Sequence, residues 1–207
     1  MADNGPALQG AHPAAVVGII TVVPHDKVFI RPPSVTGSML ARELSRSKVS
    51  VCLLEKENDV AMGASKANSG IIHGGYDPEP GTLKAKLNAE GVELLFAAAK
   101  ELHVPCLRNG SMVCAFGTEQ EHGLLEMLWH RGRENGIAGL ELLPGAEARK
   151  LEPNLSEEVS MVLYVPNAGI ICPYSLTIAA VGNAMDNGVE LRRNFAVTAI
   201  EKQDGIF

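Results

Sequence analysis

His73 follows the apolar pair Ile71-Ile72 and precedes Gly74-Gly75. A neutral imidazole there can take a proton from a hydroxyl group, and glycines beside it would let a flat ring come close to the backbone. A histidine that only contacts such a ring, or only holds the loop, is the competing reading. Upstream, Glu55 closes the apolar run Val49 to Leu54. A carboxylate at the end of a buried strand can accept hydrogen bonds from a ribose diol. The competing reading of Glu55-Lys56-Glu57 is a solvated strand end. Between the two lies Gly63-Ala64-Ser65-Lys66-Ala67-Asn68-Ser69-Gly70. Its hydroxyls and closely spaced N–H groups suit a pyrophosphate, although Ser65 and Ser69 could equally satisfy loop amides and Gly70 could serve only a turn.

These residues need a sheet edge to stand on. Val28-Phe29-Ile30 reads as a strand, Ser38 to Ser47 as a helix through Leu40, Ala41 and Leu44, and Val49 to Leu54 as a second strand. The near-continuous apolar character of the second strand suits a parallel sheet covered on both faces. Strand, turn, helix and strand make a βαβ unit, whose turn should carry glycines in the spacing G-x-G-x-x-G. Counting back from Gly37 puts Pro32 and Ser34 at the first two glycine positions. Proline has no N–H and fixes φ, so the phosphate loop is altered, and only the helix-packing glycine matches.

Further along, Thr82 to Leu102 predicts a helix with Leu83, Leu87, Leu94 and Leu102 on or near one face. Ser111 to Phe116 reads as a strand. Glu119 to Asn135 reads as a helix with Leu124, Leu125, Leu128 and Trp129 inward, and Gly145 to Leu151 as a short helix. Met161 to Val165 and Gly169 to Cys172, separated by Pro166-Asn167, resemble a hairpin. A helix from Tyr174 to Asn187 and strands at Val189 to Arg192 and Phe195 to Glu201 complete the pattern.

The run from Gly37 through Ala41-Arg42-Glu43-Leu44, Leu54-Glu55-Lys56, Asn68-Ser69-Gly70-Ile71-Ile72-His73-Gly74-Gly75 and Pro80-Gly81-Thr82-Leu83-Lys84-Ala85-Lys86-Leu87 resembles FAD-dependent oxidoreductases of the D-amino-acid-oxidase type. It is most similar to the branch of glycerol-3-phosphate dehydrogenases and L-2-hydroxyglutarate oxidases. Arg108-Asn109-Gly110-Ser111, Glu147 to Pro153 and Gly169 to Tyr174 resemble the same branch. The resemblance spans Ser34 to Phe207. It implies an α/β fold, a Rossmann-like FAD-binding parallel sheet with a smaller β-rich substrate-domain portion, incomplete because such enzymes extend well past this length. It also implies FAD as cofactor. Gly37 would pack the phosphate-loop helix, and Glu55, with Lys56 after it, would hold the adenosine ribose. Ser65, Asn68, Ser69, Gly70 and Ile72 would contact pyrophosphate, ribityl or ring, and the backbone of Val197 the adenine. His73 is the implied catalytic residue.

The implied activity is oxidation of the CH–OH group of a small anionic substrate, a 2-hydroxy acid or glycerol 3-phosphate, with electrons passed on to a quinone, oxygen or a partner protein. The alternative is an inactive, shortened flavoprotein remnant with weak or no FAD binding, favoured by Pro32, Ser34 and the early C-terminus. An NAD-dependent Rossmann dehydrogenase would need the intact glycine loop and would leave Asn68 to Gly75 unexplained. The expected organisation is an extension over 1–24, a first FAD-binding part over 25–110, a partial substrate region over 111–172 and a return to the sheet over 173–207.

Composition limits the partners. Of 207 residues 46% are apolar and the net charge is −6, with basic residues scattered and no aromatic interleaving, which disfavours a nucleic-acid groove. The ten-residue apolar run Ala14 to Val23 is too short to cross a bilayer and has no basic lead, so it reads as an added strand behind a disordered Met1 to Pro13. Cys52, Cys106, Cys114 and Cys172 form no CxxC pair and read as reduced, buried thiols of a cytoplasmic protein, with no metal site.

Overall fold

The computed structural model describes residues 18–22 and 27–200. The chain divides into two compact units, Met1–Asn68 with Pro173–Phe207, and Ser69–Cys172. The division between Asn68 and Ser69 leaves the segment 83–101 in the second unit. Met1 to Pro13 lies outside the described residues.

The first unit is a four-stranded sheet in the order β1 (Gly18–Val22), β2 (Lys27–Arg31), β3 (Ser50–Leu54), β10 (Glu190–Arg192). β2, β3 and β10 run parallel, and β1 is added antiparallel on the outer edge of β2. The helix α1 (Val35–Leu44) connects β2 to β3 and completes the βαβ unit. It packs beside α5 (Pro173–Asp186), with Arg42 Nε donating to Asn183 Oδ1 at 3.0 Å. Ile30, Ala41, Val51, Leu53, Val181 and Ala184 form the core. The last four residues of β3 are all buried, the consequence of cover on both faces.

The segment from Phe195 to Ile200 is not a strand. Asn194 turns the chain with φ +54, and the N–H groups of Asn194 and Phe195 donate to the carbonyls of Glu57 and Glu55, so the chain folds over the end of β3 and forms no ladder. A strand needs a neighbour to pair with, and none is present there among the described residues.

The second unit contains two three-stranded sheets. One has the order β4 (Ile71–Ile72), β9 (Gly169–Ile171), β5 (Cys106–Leu107), and the other β6 (Ser111–Ala115), β8 (Met161–Val165), β7 (Glu141–Pro144). β8 and β9 therefore do not form a hairpin. Both edges of β8 are already taken by β6 and β7, so the chain beyond Pro166-Asn167 joins a different sheet. The central sheet buries both faces by alternation. Leu163 and Val165 meet Leu125 and Leu128 of α3 (Glu119–Glu134), whereas Val162 meets Ala148 of α4 (Gly145–Leu151) and Val159.

The helix α2 (Leu83–Glu101) reverses one expectation. Its buried residues are Ala85, Val92, Ala98 and Ala99, while Leu83, Leu87 and Leu94 are 69%, 56% and 68% exposed. Spacing identifies a stripe but not which stripe faces inward, and here the small residues allow the closer approach. In α3, Leu124 likewise points outward, while Leu125 and Leu128 are buried and Trp129 donates its indole N–H to Leu140 O at 3.1 Å.

Helix α3 starts in a capping box in which Thr118 Oγ1 accepts from Glu121 N–H and the Glu121 carboxylate accepts from Thr118 N–H. The Thr118 hydroxyl and these amide donors hold the Glu121 carboxyl below its ordinary value. Thr118→Ala should lower stability by about 1 kcal/mol in denaturant unfolding. A carboxyl with a depressed folded-state value stabilises above its unfolded value and loses that contribution as pH falls through the folded one. The difference between wild type and T118A should therefore shrink on acidification.

Candidate functional site

The residues singled out from the sequence divide between the units: Gly37, Glu55, Lys56, Ser65, Asn68 and Val197 in the first, and Ser69, Gly70, Ile72 and His73 in the second.

In the first unit the carboxyl ends of β2 and β3 present two loops. The turn after β2, Pro32-Pro33-Ser34, feeds α1, with Ser34 as the N-cap accepting from Gly37 N–H at 3.4 Å. Gly37 is buried, and a Cβ there would run into the carbonyl oxygen of Pro32. The helix can therefore sit this close to the loop only through glycine. Val35 N–H donates to the Ser65 hydroxyl at 3.1 Å, and Ala61 N–H to Pro33 O at 3.2 Å. Ser65 thus satisfies an amide at the start of α1, the role left open for it in the sequence.

Glu55 follows β3 and is only 4% exposed. Its Oε1 accepts from Glu57 N–H at 3.0 Å, and its Oε2 has no donor among the described residues. Glu55 Oε2 is not among the side-chain atoms sealed from solvent without a partner, so it is open to a donor from outside the chain. Its backbone is held by Arg192 O and by the Phe195 N–H, which lies two residues before the half-buried Val197. Lys56 is exposed and pairs with Glu57 at 3.2 Å. Asn68 is exposed and donates to Ala64 O at 3.0 Å.

In the second unit Ser69 is exposed, Gly70 is buried with its carbonyl accepting from Ile171 N–H at 2.9 Å, and Ile72 is buried in β4. His73 is exposed at the end of that strand. The space above Gly74 is not open to a ring, since a Cβ there would meet Val165 and Asn167 of the same unit. Packing accounts for that glycine. The turn after His73 is tied down by two asparagines that sequence reasoning passed over: Asn167 Nδ2 donates to Gly74 O at 3.1 Å, and Asn135 Nδ2 to Gly75 O at 3.0 Å and Pro78 O at 2.9 Å. Isolated asparagines in separate segments carry no local signal.

Several other polar residues have structural work. Arg108 makes a two-pronged bond to Glu93 at 2.7 and 2.8 Å over the ring of Phe96, and this contact lowers the Glu93 carboxyl. Arg149 donates to the carbonyls of Ser156 and Val159. His122 Nε2 lies 2.8 Å from Ser160 Oγ, and His130 packs edge-on against Trp129. All four cysteines are free; burial pushes the Cys52 and Cys114 thiols up, but Cys172 is exposed and not the core residue expected. Among the described residues no helix is long and apolar enough to cross a membrane.

Residues 35–207 match the family model described as FAD dependent oxidoreductase. The chain belongs to that family. It is 44% identical over 177 residues to a glycerol 3-phosphate dehydrogenase of Caloramator mitchellensis, covering 86% of this chain and 37% of the relative. It is 31% identical over 176 residues to a mitochondrial L-2-hydroxyglutarate dehydrogenase of Nematostella vectensis, covering 84% and 38%. The dithionite-reduced L-α-glycerophosphate oxidase of Mycoplasma pneumoniae with FAD bound superposes with a TM-score of 0.79 at 35% identity, over 83% of this chain and 45% of that one. The chain spans less than half the length of these relatives. The α/β class with a parallel sheet agrees with the family.

Tested against the family's cofactor, the residues fit at the sugar end, where Glu55 Oε2 lacks a donor. At the diphosphate the loop is short of donors, since neither Pro32 nor Pro33 has an N–H and Ser65 engages that of Val35. Among the described residues Thr36 N–H has no acceptor and is the first-turn donor left for a phosphate oxygen.

Proposed function

We propose that this chain carries the FAD-binding and proton-accepting residues of an oxidoreductase that oxidises the CH–OH group of a small anionic substrate, a 2-hydroxy acid or glycerol 3-phosphate. The observation that carries the reading is the buried Glu55 carboxylate with Oε2 lacking a donor, at the carboxyl end of a parallel strand. Its free oxygen accepts a ribose hydroxyl. Gly37 lets α1 approach the loop, and Thr36 N–H, with Ser65 and Asn68, serves the diphosphate. Lys56 flanks the sugar site, and the Val197 backbone meets the adenine. Ser69, Gly70 and Ile72 are assigned to the flavin end.

Bound FAD supplies the acceptor for the electron pair that leaves the carbinol carbon with its hydrogen. The imidazole of His73 takes the hydroxyl proton on a ring nitrogen. Asn135 and Asn167 fix the turn that follows it, so that the ring is presented from an anchored backbone. Electrons then pass to a quinone, oxygen or a partner protein.

A second reading, a chain that binds FAD weakly or not at all, is favoured by Pro32-Pro33 and by the Ser65 hydroxyl at the start of α1. The visible spectrum of the purified chain mixed with FAD and freed of excess separates the two. Retained yellow bands are the expected result. A colourless protein would overturn the enzyme reading for this chain in favour of the second.

A further inference from the structure

Helix α2 carries two apolar faces. Ala85, Val92 and Ala99 are buried, whereas Leu83, Leu87 and Leu94 stand exposed on the other side. At 3.6 residues per turn the three leucines fall within an arc of about 40°, centred roughly 160° from Val92. Helix propensity does not account for them, since alanine forms a helix at least as well as leucine. A surface helix buries one apolar stripe, and a second stripe on its far side marks a face that another body covers. The charges beside the stripe indicate which body. Lys86 and Glu90 are exposed, four residues apart on one flank of it, and among the described residues neither has an ion pair. Both signs on one flank do not match a surface of single sign such as an anionic bilayer. They match the same helix reversed. Turning a second α2 end for end about a point between Asn88 and Ala89 sets Leu83 level with the partner's Leu94 and Leu87 beside the partner's Leu87. The same turn brings Lys86 almost level with the partner's Glu90, and two-fold symmetry repeats each contact. Antiparallel order also lays opposite ends of the two helix dipoles side by side.

We infer that the outer face of α2 is a self-association surface, and that its occupant is the same face of a second copy of this chain, packed antiparallel with Leu87 at the centre. The inference does not depend on FAD or on the substrate.

Sedimentation velocity of the purified chain tests it, over a range from about 10 µM to about 1 mM, because three leucines a side make a contact smaller than the roughly 1,600 Å² of a standard interface. A monomer–dimer equilibrium within that range is expected. Leu87→Ser should weaken association about tenfold or more, since one substitution alters both sides of the central contact. Its urea midpoint should match wild type, because the side chain is exposed. Lys86→Glu should also weaken association, and adding Glu90→Lys to it should recover the loss, as for residues that face each other across the pair. Lys100→Glu, the same charge change on α2 beyond the overlap of the two stripes, should leave association unchanged. A monomer at the highest concentration, undiminished association in L87S, or no recovery in the double variant would overturn the proposal. Flotation of a monomeric chain with phosphatidylcholine and phosphatidylglycerol vesicles would overturn it in favour of a lipid surface.

Discussion

Replacing Gly37 by alanine is expected to destabilise the first unit by about 2–3 kcal/mol, an overpacking cost at the upper end of the usual range. The added methyl group would run into the Pro32 carbonyl, which is backbone and cannot rotate away as a side chain could. Relief requires moving α1 away from the β2 turn, which also displaces Thr36, whose N–H is the first-turn donor left for the proposed diphosphate, and the bond from Val35 N–H to Ser65. Gly182→Ala serves as the control in the same unit. A Cβ at Gly182 in α5 meets nothing within 4 Å, and helical glycine costs roughly 0.5–1 kcal/mol relative to alanine, so that substitution should stabilise. Urea unfolding of the two variants should shift the midpoints in opposite directions. A neutral G37A would show that the turn yields freely and that the close packing is not what requires glycine.

Glu55→Gln should raise the dissociation constant for FAD by about 10- to 100-fold, read by quenching of flavin fluorescence. The basis is the loss of one charge-assisted hydrogen bond, roughly 1.5–3 kcal/mol. Glutamine can still accept from Glu57 N–H through its oxygen, so the local turn should survive. Its other terminal group becomes a donor and cannot accept a second hydroxyl. The free variant should fold about as stably as wild type, because the bond from Glu57 N–H is kept. Weakened binding without weakened folding is the signature of a ligand-facing group. Unchanged FAD affinity would take the ribose away from Glu55.

The βαβ unit was legible because each of its signals is local. Apolar runs of strand length, a serine at the N-cap and a helical repeat through Leu40, Ala41 and Leu44 all describe neighbours in sequence. The family was legible for a similar reason, as the motif that carries the resemblance, Asn68 to Lys86, is one uninterrupted stretch. The misreadings concern choices between partners. Val189 to Arg192 and Phe195 to Glu201 look alike as apolar segments, yet only the first finds an edge, beside β3. The apparent hairpin of β8 and β9 looked local as well, but β6 and β7 had already taken both sides of β8.

From residue order alone came the family, the α/β class and the parallel βαβ core, and with them the proposal of Glu55 and His73 as site residues, because these depend on residue type and short spacing. Long-range packing settled the rest. It turned the alanine face of α2 inward and the leucines outward, filled the space over Gly74 with Val165 and Asn167, and put Ser65 against the first amide of α1. Such pairings join groups far apart along the chain through the volume each side chain occupies, and no spacing rule encodes that.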